Sequence, residues 1–233
     1  MFIGIGTPIP EIANLPGSSR PGGGGAPAFE YTAIDNSYSM KFDGTAFMQV
    51  GGNIFDGFTA VAVSMWVNPS LQGIYDAPLN YYSFANGGNN KIGFTYESST
   101  GNYFRFTLQA HPTLSYVESS TNSIPLNQWT HVVGVGEVGQ ALKIYINGSE
   151  DSATQSGTMP TLYQDADLFI GKDNGAAGRE FNGYIDEIGI FSTSLSANTI
   201  QAIYDATANN SGKVADLSET PEGAPAAWYR MGD

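Results

Sequence analysis

Two adjacent carboxylates, Asp186 and Glu187, interrupt the apolar run FNGYIDEIGIF at residues 181–191. An acidic pair suggests glycoside hydrolysis, which needs two carboxylates flanking one bond at a separation of roughly 5–9 Å. In a regular strand, however, neighbouring side chains point to opposite faces of the sheet. Asp165 and Asp167 do alternate along the chain, but no third carboxylate continues that pattern. We therefore expect a protein without enzymatic activity.

The two histidines, His111 and His131, each lack a second metal-ligating residue close in sequence. His131 follows Trp129 in an apolar strand, which favours a hydrogen-bonded core histidine over a metal ligand. A group of aromatic residues in the middle of the chain either fills the core or stacks on sugar rings, and the core is the more common place for such residues. The group consists of Tyr81, Tyr82, Tyr96, Tyr103 and Phe104.

The chain is strongly acidic, with nine Lys and Arg, 22 Asp and Glu and a net charge of −13. Its basic residues form no cluster in the sequence, so nucleic acid is not an expected partner. The sequence has no cysteine, which excludes disulfides. No stretch approaches the roughly 18 consecutive apolar residues of a membrane helix, and the N-terminus lacks the basic region of a signal peptide. We expect neither membrane insertion nor a Sec-type address.

Short alternating segments separated by Gly, Asn and Ser fill most of the chain and predict about a dozen strands. Asp43-Gly44 and Asn147-Gly148 are typical hairpin dipeptides, and each predicts a pair of adjacent strands. The apolar run FTAVAVSMWVNP, residues 58–69, predicts a central strand buried on both faces. Together these features predict an all-β fold, with two antiparallel sheets packed as a jelly-roll sandwich.

One short helix is predicted at about residues 196–205, where Ser196 is placed to cap the first turn and Ile200, Ile203 and Tyr204 have helical spacing. The last residues, 226–233, alternate like a strand. We therefore predict one sandwich domain over residues 30–233 that is closed by this C-terminal strand.

Residues 1–29 differ from the rest, because prolines and a run of four glycines prevent regular structure. We predict an extended N-terminal arm that buries its apolar side chains on a partner, although packing on its own domain is an alternative. The predicted docking residues are Phe2, Ile3, Ile5, Ile9, Ile12 and Leu15.

Four stretches resemble the laminin G-like and pentraxin-like domains of the concanavalin A-like lectin/glucanase superfamily. They are MKFDGTAFMQV, VAVSMWVNP, QWTHVVGVGEVGQALKIYINGS and DLFIGKDNGAAGREFNGYIDEIGIFSTSLSANTIQAIYD. Domains of this family often begin with a strand resembling AWYRMGD, which here ends the chain. The resemblance therefore implies that the C-terminal strand takes the place of the first strand, so that the two ends of the domain lie close together. The glucanase motif Glu-x-Asp-x-x-Glu does not occur in the sequence.

The same resemblance implies a structural Ca²⁺, because related domains hold this ion with Asp or Asn side chains and loop carbonyls. Calcium binds six to eight oxygens. The residues that match are Asp43, Asp173, Asn174 and Asp186. Alternatively, Asp186 accepts backbone N–H bonds in a turn while Glu187 faces the solvent.

The leader IGIGTPIPEIANLPGSSRPGGGG resembles those of virion structural proteins of tailed phages, especially marine ones. This likeness implies a structural protein of a phage particle, either a capsid decoration or a tail or fibre component. Its expected partners are other virion proteins and copies of itself. The alternative is an adhesin that binds host-surface glycans.

Overall fold

Two antiparallel β-sheets packed face to face form the body of the protein in the computed structural model. The structure describes residues 7–8, 29–70, 75–83, 90–97, 101–162, 167–174 and 177–231. The predicted all-β sandwich with one short helix is confirmed. Within the described ranges, no helix has the length and apolar content needed to cross a membrane.

The first sheet has eight strands, and seven of them follow one path from edge to edge. In spatial order these are β1 (Thr7–Pro8), β3 (Tyr38–Asp43), β15 (Asn182–Phe191), β5 (Ala60–Pro69), β10 (Thr130–Glu137), β11 (Lys143–Ile146) and β12 (Ser149–Glu150). The eighth strand, β17 (Ala227–Tyr229), pairs with β15 beyond the end of β3.

The second sheet has seven strands. Their spatial order is β13 (Thr154–Ser156), β9 (Thr113–Glu118), β8 (Tyr103–Ala110), β7 (Asn90–Glu97), β6 (Asp76–Ser83), β14 (Leu168–Ile170) and β4 (Met48–Val50). A separate two-stranded ribbon pairs β2 (Ala33–Asp35) with β16 (Lys213–Ala215).

The core between the sheets is built from alternate residues of each strand, as period-2 patterning requires. Val63 and Met65 of β5 belong to the same buried cluster as Phe94 of β7 and Phe106 of β8. The sheets approach so closely that a Cβ on Gly134 would lie 2.5 Å from the Phe106 ring. The close fit explains why a glycine occupies the centre of β10.

The outer face of the eight-stranded sheet is covered by the helix α1 (Ala197–Ala208). Ser196 is its N-cap and accepts a hydrogen bond from the backbone N–H of Thr199, which confirms the predicted helix start. Ile200 and Ile203 bury the apolar side of the helix in a second cluster, separate from the main core. Because β5 contributes to both clusters, its burial on both faces is also confirmed.

The two predicted hairpins have different outcomes. Asn147-Gly148 joins β11 to β12 in a two-residue turn with positive φ at both positions, so this hairpin is confirmed. The prediction of a hairpin at Asp43-Gly44 is wrong, because β3 and β4 lie in different sheets. Asp43 Oδ1 accepts hydrogen bonds from the Thr45 hydroxyl and from the backbone N–H groups of Thr45 and Ala46, in a turn that leads the chain across the sandwich.

The two ends of the described domain lie together, as predicted. β17 continues the line of β3 along β15, pairing with Ile188–Ile190 where β3 pairs with Asn182–Ile185. Glu219 accepts hydrogen bonds from the backbone N–H and hydroxyl of Thr32.

The predicted docking residues of the arm lie outside the described residues. They are Phe2, Ile3, Ile5, Ile9, Ile12 and Leu15. The described part of the arm, Thr7–Pro8, pairs with Ser39 and Tyr38 at the edge of the eight-stranded sheet.

Candidate functional site

A groove of about 440 Å³ crosses the outer face of the seven-stranded sheet. It arises from the alternation along β7, β8 and β9, because the large aromatic residues point into the core and leave polar residues facing outward. The register aligns three rows across these strands: Lys91–Gln109–Leu114, Gly93–Thr107–Tyr116 and Thr95–Arg105–Glu118.

Arg105 contacts two carboxylates in the groove floor, those of Glu118 and Glu97. Its Nε donates to Oε1 of Glu118 at 2.8 Å, across a register pair of β8 and β9. Its Nη1 lies 3.6 Å from Oε1 of Glu97, at the end of β7. The side chain of Glu97 is 3 % exposed, whereas that of Arg105 is 33 % exposed. The carboxylate is therefore buried beneath its cation.

At the other end of the groove, Asp173 is a buried carboxylate that contacts two cations. Its Oδ2 lies 3.1 Å from Nη1 of Arg179 and 3.4 Å from Nζ of Lys91. The loop that carries Asp173 and Arg179 is tied to the sheet, since the Arg179 carbonyl accepts from the backbone N–H groups of Ala77 and Asp173. The Asp173 side chain is 2 % exposed against 35 % for Arg179.

Aromatic and apolar side chains form the rim. Tyr75 and Leu114 are exposed, and Tyr116 is half-buried. The Arg105 guanidinium carbon lies 4.9 Å from the Tyr116 ring centroid, and that of Arg179 lies 4.9 Å from the Tyr75 centroid. Each tyrosine ring is therefore held in place by a neighbouring cation.

Burial shifts the pKa values of two groups in the floor. Desolvation raises the pKa of the Glu97 carboxyl, and the nearby Arg105 charge offsets this only in part. Desolvation likewise lowers the pKa of Lys91, against the opposing effect of Asp173. Glu97 Oε1 is buried and has no hydrogen-bond partner among the described residues. Buried charges that cost stability are characteristic of functional sites.

The acidic pair in β15 lies on the other sheet and has a structural arrangement. A β-bulge between Asp186 and Gly189 places Glu187 at φ 50°, which breaks the alternation expected of a regular strand. Asp186 Oδ2 accepts from Asn36 Nδ2 at 2.9 Å, and its Oδ1 accepts from the Glu187 backbone N–H. The predicted backbone bond to Asp186 is therefore confirmed.

The prediction that Glu187 faces the solvent is wrong, since this residue is 3 % exposed. Its Oε2 accepts from Trp228 Nε1 at 2.6 Å, and its Oε1 lies 3.4 Å from Arg230 Nε. Both partners belong to the C-terminal segment. Glu187 thus anchors β17 to β15.

The four residues predicted for calcium are not brought together. Asp43 lies in the turn after β3, Asp173 in the groove, and Asp186 beside Asn36 on the far face of the eight-stranded sheet. Asn174 follows Asp173 in the same loop. The residues that the structure describes contain no group of three or more Asp, Glu, His or Cys able to hold a metal. A calcium site stays a prediction.

His131 is a buried, hydrogen-bonded residue, as predicted, and it lies between the eight-stranded sheet and helix α1. Its Nε2 lies 2.8 Å from the Ser64 hydroxyl, and its ring belongs to a cluster in which the centroids of His131, Trp66 and Tyr204 lie 5.1–6.3 Å from one another. Desolvation lowers the pKa of His131 to about 3, so the ring is neutral at physiological pH.

Of the aromatic residues weighed as core or sugar site, Tyr81, Tyr96 and Phe104 belong to the core. The aromatic residues that line the groove, Tyr75 and Tyr116, were not identified from the sequence. One signal was available in NYFRFTLQ, where Arg105 and Thr107 alternate with Phe104 and Phe106. Alternation marks Arg105 as outward-facing, but it does not show that β9 and a distant loop complete a groove around it.

The Laminin_G_3 family, of the concanavalin A-like lectin/glucanases superfamily, matches residues 42–201. No curated protein sequence matches the chain. Among solved structures, a native heptameric SAP-like pentraxin from Limulus polyphemus superposes with a TM-score of 0.58 at 17 % identity, covering 83 % of this chain and 88 % of that one.

Two further structures are similar. Domain 4 of an extracellular arabinanase from Geobacillus stearothermophilus, solved with arabinotriose, has a TM-score of 0.56 at 20 % identity and covers 76 % of this chain and 81 % of that one. A putative carbohydrate binding protein from Bacteroides ovatus has a TM-score of 0.58 at 14 % identity, covering 88 % of this chain and 53 % of that one. At these identities the likeness establishes the fold.

Proposed function

Since this chain belongs to the Laminin_G_3 family of the concanavalin A-like lectin/glucanases superfamily, we propose that it is a carbohydrate-binding domain that performs no catalytic step. The groove on the seven-stranded sheet carries this proposal. Its volume of about 440 Å³ is that of a small-molecule site. Polar groups line its floor and tyrosines its rim, a combination that suits a ring with one apolar face and hydroxyls at its edge.

The carboxylates of the groove support binding rather than hydrolysis. Glu97 and Glu118 both contact the same guanidinium, that of Arg105, and Asp173 contacts two cations. Carboxylates engaged in this way position the cations and are not placed as a separate acid and nucleophile. Two similar structures, a putative carbohydrate binding protein and an arabinanase domain solved with arabinotriose, support the same ligand class.

A glycan array tests the proposal, followed by titration of the best ligand. We expect Tyr75→Ala and Tyr116→Ala each to weaken binding by about 1 kcal/mol, close to a fivefold loss, because each removes one stacking surface. Tyr38→Ala is the matched control, since Tyr38 is an exposed tyrosine on the other sheet. The proposal would be contradicted if the protein bound no saccharide on the array, or if all three variants lost affinity equally.

We further propose that the domain is a structural component of a tailed-phage virion, in the capsid decoration or the tail and its fibres. The arm would attach it to other virion proteins and to copies of itself. Support comes from the leader resemblance and from the position of Thr7–Pro8 on strand β3 of the eight-stranded sheet, since the groove floor belongs to the other sheet. The heptameric pentraxin supports self-association within this fold.

Deleting residues 1–28 tests the attachment separately from glycan binding. We expect the truncated protein to stay folded and to bind glycan, because the described core and groove are formed without those residues. It should fail to join the particle or to form oligomers, as measured by sedimentation velocity and by its occupancy on the particle. Full occupancy of the truncated protein would refute the docking role.

A further inference from the structure

The groove concentrates positive charge on a strongly acidic protein. Three of the nine basic residues, Lys91, Arg105 and Arg179, line it, although the net charge of the chain is −13. Three carboxylates balance the charge of these cations, those of Asp173, Glu97 and Glu118. Their side chains are only 2 %, 3 % and 14 % exposed. The side chains of Arg105 and Arg179 are 33 % and 35 % exposed. A ligand in the groove therefore meets cations, with their counter-charges beneath.

We propose that this groove selects saccharides that carry a carboxylate, and that Arg179 receives it, with Arg105, whose Nε and Nη2 donate to Glu118, adding its charge nearby. The inference rests on the proposed carbohydrate-binding function and specifies its ligand class. A guanidinium presents five N–H donors in a planar fork that matches a carboxylate. Among its described contacts, Arg179 donates a hydrogen bond through Nη1 alone, to Asp173, so its other donors remain available to a ligand.

The neighbouring groups support a pyranose ring beside that carboxylate. Tyr75 and Tyr116 lie next to the two guanidiniums, each 4.9 Å from its cation, so a ring on either tyrosine brings its acidic substituent near an arginine. The hydroxyls of Thr95 and Thr107 and the amide of Gln109 supply both donors and acceptors along the floor.

The charge of the whole protein favours an isolated carboxylate over a densely sulfated chain. A net charge of −13 repels an extended polyanion at distances up to the Debye length, about 8 Å at physiological ionic strength. A saccharide with one carboxylate places its charge only in the groove, where the guanidiniums are close. Its binding should depend weakly on salt.

The test is an array of matched pairs, each a neutral oligosaccharide and the same oligosaccharide with its terminal hexose oxidised at C6 to the uronic acid. Heparin oligosaccharides are included as the polyanionic comparison. We expect the acidic member of at least one pair to bind about 10- to 100-fold more tightly, as charge-assisted hydrogen bonds imply. That pair is then titrated against variants at two salt concentrations.

Arg179→Gln is the informative variant, because Asp173 keeps its contact with Lys91 when Arg179 is replaced. We expect it to weaken binding of the acidic member about tenfold and to leave the neutral member unchanged, with Arg179→Lys intermediate. Lys143→Gln, which removes a cation from an exposed ion pair on β11, is the control and should bind as the wild type does. Melting temperatures confirm that each variant is folded.

The outcomes separate this inference from the proposed function. If neutral and acidic members bind equally, the selection is overturned while carbohydrate binding stands. If heparin binds more tightly than the acidic pair member and with a steep salt dependence, the preference for an isolated carboxylate is overturned. If no saccharide binds, both are overturned. Loss of binding to both pair members in Arg179→Gln also overturns the role given to Arg179.

Discussion

Replacing Glu187 by alanine should destabilise the sandwich at its C-terminal strand. The carboxylate is 3 % exposed and accepts from Trp228 Nε1 at 2.6 Å, with Arg230 Nε at 3.4 Å. Hydrogen bonds to charged groups contribute about 1.5–3 kcal/mol, and the Trp228 bond is of this kind. Arg230 is 29 % exposed, so water replaces part of its lost contact and its share is smaller.

The expected loss is about 3 kcal/mol in the free energy of unfolding, at the lower end of the range for breaking a buried charged pair. For a chain of this size that corresponds to a fall of about 6–12 °C in melting temperature. Urea unfolding followed by far-UV circular dichroism measures the free energy, with an unchanged m-value showing that the denatured state is the same.

Two matched variants isolate the cause. Glu187→Gln keeps an acceptor oxygen for Trp228 but removes the charge, so we expect roughly half of the loss. Glu187→Gly also removes the side chain, but it relieves the positive φ of 50° and should be about 1 kcal/mol more stable than the alanine variant. Hydrogen exchange at β17 should accelerate in the alanine variant before the rest of the sheet opens. A Glu187→Ala protein within about 0.5 kcal/mol of the wild type would refute this reasoning.

Three further predictions concern packing, titration and metal binding. Gly134→Ala should lower the free energy of unfolding in urea by about 1–3 kcal/mol, because the added Cβ would lie 2.5 Å from the Phe106 ring. Gly51→Ala is the control and should not lower it, since the nearest atom to its added Cβ is 3.7 Å away. Desolvation raises the pKa of Glu97 in the folded protein above its value in the unfolded chain. The contribution of Glu97 to the free energy of unfolding therefore falls as the pH rises through the range between these two pKa values. Glu97→Gln should therefore gain stability relative to the wild type as the pH rises above about 4, the ordinary pKa of a glutamate, in parallel melts; an equal pH slope in both proteins would count against this. If Ca²⁺ binds as the family resemblance implies, millimolar calcium at 100 times the dissociation constant should stabilise by about 2.7 kcal/mol over excess chelator, and identical melting temperatures would rule the site out.

Local features were determined by the sequence because their causes lie within a few residues. Ser196 caps a helix whose apolar residues Ile200 and Ile203 recur at helical spacing, and that helix begins where predicted. Asn147-Gly148 tolerates the positive φ of a two-residue turn and forms its hairpin. Short alternating segments separated by Gly, Asn and Ser were enough to predict a two-sheet sandwich.

The Asp43-Gly44 prediction failed for a reason that the local sequence does not contain. The dipeptide is compatible with a hairpin, but the strands on either side find partners elsewhere, β3 along β15 and β4 along β14. Pairing between strands far apart in the chain outweighs the preference of a single turn. Asp43 then caps the connecting turn through Thr45 and Ala46 instead.

The roles of the charged residues were decided only by the tertiary structure. Asp186 meets Asn36 across 150 residues of sequence, and Glu187 reaches Trp228 because a bulge rotates it off the alternation of its strand. Asp173 joins Arg179 within one loop and Lys91 from a distant strand. The sequence shows that these carboxylates are present. Whether each one binds a ligand, holds a cation or anchors a strand depends on which groups the folded sheets bring within about 4 Å. That is the range over which ion pairs and hydrogen bonds act.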